Sequence, residues 1–137
     1  MRATLEEIIQ FLQQEFPQSL QKCTVDDIQR KYARVSYCVG FDELRPGGTV
    51  SGPTMVTIAD FALYVAILGE VGIMALAVTS NLNIQFLRKP VANQDLWAEC
   101  HLFKVGKNLA VGEVWVYSKG MDDAVAHVTG SYVLPRN

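Results

Sequence analysis

Residues 54 to 68, TMVTIADFALYVAIL, are apolar on every side of a helix and carry one charge, Asp60. A surface helix shows a single apolar stripe, whereas one that is apolar nearly all round must be enclosed by protein on most sides. The rest of the chain therefore has to build a wrapper around this helix. Ser51 is placed to cap it, Pro53 sits in the first turn where a missing N–H loses nothing, and about four turns lead to Gly69. The longer greasy stretch from Met55 to Val78 is broken by Asp60 and Glu70, with only nine residues between the two charges. That is too short to span a bilayer, so the reading is a buried helix followed by a strand, with no membrane partner.

The wrapper is legible as four extended segments, roughly 75 to 88, 93 to 105, 108 to 118 and 123 to 134. They are separated by turn-like breaks at Pro90 to Asn93, Gly106-Lys107-Asn108 and Gly120 to Asp123. Such short gaps favour antiparallel neighbours, which predicts a long meander. Ahead of the helix, Tyr32, Arg34, Ser36 and Cys38 alternate against Ala33, Val35, Tyr37 and Val39, so Cys23 to Val39 reads as two short strands or a hairpin. Thr4 and Glu7 form a capping box before Leu5, Ile8, Ile9, Leu12 and Phe16, which share one face of a helix that Pro17 ends. Residues 45 to 53, RPGGTVSGP, are loop chemistry. One enclosed helix with an antiparallel meander predicts an α+β layer fold in which the sheet curls around the helix. With 137 residues and 50% hydrophobic content, the chain is read as one domain over residues 1 to 137, with one core.

A net charge of −2 offers phosphate backbones no general attraction, so no nucleic-acid partner is expected. Cys23, Cys38 and Cys100 lack the paired spacing of a zinc site, which points to a reducing cytoplasm and no metal. Met1 and Arg2 lead into the capped helix without an apolar signal core, so export is not expected.

Asp60 is the most informative residue. A buried, unpaired carboxylate costs several kcal/mol or has its proton affinity raised, and a cost of that kind marks function more often than structure. Gly52 starts the same helix, where free N–H groups and the positive end of the dipole can hold an oxyanion, although a glycine there also simply makes the turn. Eight helical steps of about 1.5 Å separate Gly52 from Asp60 by roughly 12 Å, too far for both to touch one carbonyl. Two antiparallel copies of the helix related by a two-fold axis would close the site, so the hypothesis requires a homodimer.

The segment SGPTMVTIAD, residues 51 to 60, resembles the helix-start motif of phenylacetate-type (PaaI-like) hotdog thioesterases, HGG followed by six residues and an aspartate. The flanking RPGG, the strand SNLNIQFLRKP, the turn VGKNLAVGEV and the ending VTGSYVLP resemble the same family over about residues 30 to 135. The resemblance implies the hotdog fold and hydrolysis of an acyl-CoA thioester, with coenzyme A as part of the substrate and no separate cofactor. It implies Asp60 as general base or nucleophile, the Gly52 N–H as oxyanion donor and a water-orienting hydroxyl at Thr79, with Ser80 the neighbouring candidate. Ser51 stands where the family has histidine, Pro53 replaces its second glycine, and Arg45 occupies a region where many relatives have asparagine. Arg45, Gly48, Ser80 and Asn81 are placed around the substrate.

Arg88 and Lys89, with Lys104 and Lys107 on the next turn, are candidates for the phosphates of coenzyme A, against the plainer reading of a solvated sheet edge. His101 and His127 read as structural or surface residues, Cys38 and Cys100 as apolar strand packing, and Trp97, Phe103, Trp115 and Tyr117 as core or interface. The leading function is an acyl-CoA thioesterase acting as a dimer or a tetramer of two dimers, its acyl pocket beside the central helix. The alternatives are a non-catalytic acyl-CoA-binding hotdog protein and, last, a dehydratase or hydratase, which would pair its carboxylate with a histidine that residues 1 to 99 lack.

Overall fold

The computed structural model describes residues 1–135. Two α-helices, α1 (Leu5–Glu15) and α2 (Gly52–Val71), accompany six strands: β1 (Cys23–Gln29), β2 (Tyr32–Tyr37), β3 (Val78–Phe86), β4 (Leu96–Val105), β5 (Leu109–Ser118) and β6 (Ala126–Val133). A 3-10 turn, Pro17–Gln21, joins α1 to β1. The capping box is formed, with Thr4 N–H donating to Glu7 Oε1 at 3.0 Å and Glu7 N–H to Thr4 Oγ1 at 3.2 Å.

All strands are antiparallel in one sheet ordered β1-β2-β4-β5-β6-β3. α2 packs against every one of them. Ile58, Leu63, Ile67 and Leu68 are fully buried beneath the concave face. By length and composition α2 would suffice to cross a membrane, but most of it is buried inside this protein. The fit is close where β6 crosses it: a Cβ at Gly130 would come within 2.6 Å of Leu63 Cδ1. Overpacking of that kind costs about 1–3 kcal/mol.

The order corrects the simple meander. β3 pairs with β6 at the sheet edge, not with β4. Residues 87 to 95 carry the chain past the ends of β6 and β5, a span of about 14 Å for three inter-strand steps, which nine residues cover easily. They are pinned on the way by Leu87 N–H to Val125 O at 2.8 Å and Val91 N–H to Ser118 Oγ at 2.8 Å. Short gaps indicate antiparallel direction, but they do not decide adjacency once a connector is long enough to cross two strands.

Trp97, Trp115 and Tyr117 lie on the face away from α2. Trp97 stacks on Tyr117 with centroids 4.2 Å apart, Arg34 lies 4.1 Å over Trp97, and His127 packs on Trp115 while bonding Glu113 at 2.8 Å. Phe103 and His101 are exposed. Cys100 is buried as expected, whereas Cys38 is exposed. Strand alternation sends Tyr37 inward and therefore Cys38 outward.

Candidate active site

Asp60 is half-buried, not fully enclosed, and it is not unpaired. Thr79 Oγ1 donates to Asp60 Oδ1 at 2.7 Å, and the Tyr132 hydroxyl donates to the same oxygen at 2.7 Å. This corrects the expectation of a lone buried acid: two hydroxyls from the sheet satisfy one side of the carboxylate. Thr79 and Tyr132 are direct partners across β3 and β6. Just beyond them the register slips between Thr79 and Asn81, and a bulge of this kind re-aims the neighbouring side chain. Ser80, the bulged residue, spends its hydroxyl on Ser131, with Oγ–Oγ 2.7 Å.

Asp60, Thr79 and Tyr132 stand on the wall of a cavity of about 900 Å³ bounded by α2, α1, the 3-10 turn and β2. Its lining includes the aromatic residues Phe11, Phe16, Tyr37, Phe61 and Tyr64. Phe16 meets Tyr64 edge-on at 6.1 Å, and Tyr64 stacks near Tyr132 at 6.1 Å, so an aromatic row runs from the N-terminal segment to the carboxylate. The N-terminal helix thus contributes a pocket wall through Phe11, while Ile8 and Leu12 are buried in the core. Lys22, just before β1, also lines the cavity and pairs with Glu43 at 3.3 Å.

Gly52 opens α2 as expected. Ser51 is the N-cap, its Oγ accepting from Thr54 N–H at 3.3 Å and lying 2.7 Å from Thr54 Oγ1. The Gly52 N–H finds no acceptor among the described residues. Arg45 is exposed at a turn closed by Arg45 N–H to Thr49 O at 2.7 Å. Gly48 adopts φ +78°, a conformation suited to glycine, and its carbonyl accepts from Asn93 N–H at 3.0 Å. Asn81 projects from the exposed edge strand.

The basic candidates separate into two groups. Arg88 and Lys89 follow β3 at the end of the sheet where β4 begins, and Arg88 pairs with Asp123 at 3.6 Å. Lys104 and Lys107 flank the β4–β5 turn at the opposite end. Among the described residues no three His, Cys, Asp or Glu side chains gather as a metal site would need.

Sequence reasoning missed Tyr132. The available signal was strand alternation: Val128, Gly130 and Tyr132 point to the same inner face, and an inward tyrosine needs a partner for its hydroxyl.

A long helix wrapped by a single antiparallel sheet defines the hotdog class of thioesterases. The chain belongs to the thioesterase superfamily, whose family model matches residues 47–125. A candidate thioesterase from Silicibacter sp. TM1040 is 37% identical with a TM-score of 0.89, covering 97% of this chain and 92% of that one. The E. coli PaaI protein from the phenylacetic acid degradation operon shares the fold at 20% identity and TM-score 0.82, covering 94% and 91% of the two chains. Zebrafish thioesterase superfamily member 2 shares it at 22% identity and TM-score 0.81, covering 97% and 99%. No curated protein matches the sequence. Hydrolysis of thioesters is the activity that this membership supports.

Proposed function

We propose that the protein hydrolyses an acyl-CoA thioester as a homodimer, with Asp60 of one subunit and the Gly52 N–H of the other acting on one carbonyl. The observation that carries this reading is the layout along β3. This strand is one edge of the sheet and has one side unpaired, with Val78 and Phe86 exposed on it and Leu87 exposed just beyond it. Gly52 lies against its Phe86 end, and Asp60 is bonded to its Thr79 end. Antiparallel pairing of β3 with its own copy sets each Phe86 end beside the opposite Thr79 end. That apposition carries Gly52 toward Asp60 of the partner subunit and turns two exposed edges into one continuous sheet.

In the joined site the thioester oxygen points at the helix start, where the Gly52 N–H and the dipole stabilise the charge that develops on attack. Asp60 either takes a proton from an attacking water, which gives the free acid directly, or itself attacks the carbonyl carbon to form an aspartyl anhydride that water then hydrolyses to the free acid and Asp60. In both cases the C–S bond breaks and the coenzyme A thiolate leaves and takes up a proton. The cavity beside Asp60 takes the acyl group. A hotdog-fold protein from Streptococcus pneumoniae, 14% identical, has been solved with coenzyme A, which supports this ligand on the fold. The same ordering of the subunits draws Arg88 and Lys89 of one chain toward the Lys104–Lys107 turn of the other, so a single coenzyme A would meet both groups. A cytoplasmic location suits such a substrate.

The test is thiol release from a panel of aromatic, short-chain and long-chain coenzyme A thioesters, repeated with Asp60→Asn and Asp60→Ala. Turnover should fall by orders of magnitude in both variants while folding is kept. Activity retained in both would remove Asp60 from the chemistry. Tight binding with no turnover across the panel would select the non-catalytic alternative.

A further inference from the structure

We infer that Tyr132 is a positioning residue: together with Thr79 it fastens Oδ1 of Asp60, leaving Oδ2 as the oxygen that acts on whatever the cavity binds. This rests on the thioester reading for its substrate, though not for its geometry.

The two hydroxyls converge on one oxygen, each at 2.7 Å, and the Tyr132 hydroxyl also lies 3.1 Å from the Asp60 carbonyl oxygen. A carboxylate gripped on one oxygen from two directions loses its freedom to turn about Cβ–Cγ. Its remaining oxygen is thereby held in one place, and fixed placement of a reacting group is a large part of catalytic rate. The grip lasts across the working pH range. Burial, reinforced by the negative charge of Asp60, holds the Tyr132 proton well above the ordinary tyrosine range. A threonine hydroxyl does not ionise there. Both partners therefore keep the protons that they donate to Oδ1.

The other titratable groups around the cavity do not imitate this role. Burial pushes Cys23 up to about 12, and burial with nearby Glu43 pushes Tyr37 to about 12. Burial also raises Tyr64. All three stay neutral where carboxylates titrate. Lys22 is engaged by Glu43, and Glu15 is exposed at the rim.

Tyr132→Phe keeps the ring and its packing on Tyr64 and removes only the hydroxyl. Two readouts on the full chain test the inference. The Asp60 carboxyl carbon, followed by NMR at neutral pH in aspartate-labelled protein and assigned through Asp60→Asn, should give one sharp resonance in the parent and should shift and broaden in Tyr132→Phe, as the carboxylate regains rotation about Cβ–Cγ. In thioester hydrolysis kcat should fall about tenfold with KM nearly unchanged. An unchanged carboxyl resonance overturns the inference whatever the kinetics, because a merely structural tyrosine would shift melting temperature and leave that line as it was. If the resonance changes but the parent protein turns over none of the thioesters, the hold on Oδ1 stands and the thioester reading falls. Should Tyr132→Phe fail to fold, site-specific 3-fluorotyrosine at the same position strengthens the donor and should shift the same carboxyl resonance; no change would again overturn the assignment.

Discussion

Gly52 lies beneath the ring of Phe86 so closely that a Cβ at position 52 would come within 3.2 Å of the ring's Cζ. Phe86 is 54% exposed and stands on the edge strand, so it has room to give way. The helix start is thus reached past an aromatic ring that belongs to the proposed subunit boundary.

Two substitutions separate the backbone donor at this position from its shape. Gly52→Ala keeps the N–H and crowds only Phe86, so the protein should fold and retain most of its turnover. Gly52→Pro removes the N–H at the first helical position, where proline is tolerated, and the extended backbone of Ser51 at φ −70°, ψ 152° accepts a following proline. Its kcat should drop about 10²-fold to 10³-fold, as for loss of one oxyanion donor, with melting temperature little changed. Equal activity in the two variants would take the Gly52 N–H out of the reaction.

The enclosed helix, its Ser51 cap and the strand count were legible because they depend on local periodicity and capping. Strand order was not, because the placement of β3 beside β6 depends on where a connector lands. Asp60 stood out as a charge in an apolar run. Its partners did not, since Thr79 and Tyr132 come from strands 19 and 72 residues away. The basic residues looked like one cluster in sequence because Lys89 and Lys104 are near in number. A strand of about thirty ångströms lies between the two ends of the sheet that carry them.

Assembly through β3 makes a prediction about mass and activity together. Asn83 and Gln85 are exposed on β3 away from the cavity lining. Asn83→Glu with Gln85→Glu sets like charges near their own copies across a two-fold axis, which is destabilising. Sedimentation of the parent should give at least twice the 15.2 kDa protomer mass, and the variant should dissociate to the protomer. Thiol release should be lost with the dimer although Asp60 and Gly52 are intact in every chain. A monomeric variant with full turnover would mean that each chain carries a complete site.

Coenzyme A contact is tested by charge. Arg88→Glu with Lys89→Glu should weaken binding of free coenzyme A by about tenfold or more, measured by calorimetry, since a hydrogen bond to a charged group contributes about 1.5–3 kcal/mol. Because Arg88 is shared with Asp123 at 3.6 Å, Asp123→Asn should tighten the same binding slightly. Unchanged affinity in the charge-reversal variant would return these residues to the role of a solvated edge.

Alkaline stability follows from the buried acids. Cys23 goes from an ordinary 9.0 to about 12 and Tyr37 from 10.0 to about 12, chiefly because burial penalises their charged forms. The folded chain therefore keeps these protons longer than the unfolded chain does. Their contribution to stability is complete below pH 9 and is lost progressively as pH rises toward about 12. Denaturant midpoints should accordingly hold level up to pH 9 and then fall, with the fall smaller in Tyr37→Phe, which has no proton to lose. The same burial makes the thiols unequal. At pH 8 a thiol reagent should label Cys38, which is exposed, and reach Cys23 and Cys100 only when the chain unfolds. Rapid labelling of Cys23 in the native protein would show that the cavity wall opens to solvent far more than the burial of Cys23 allows.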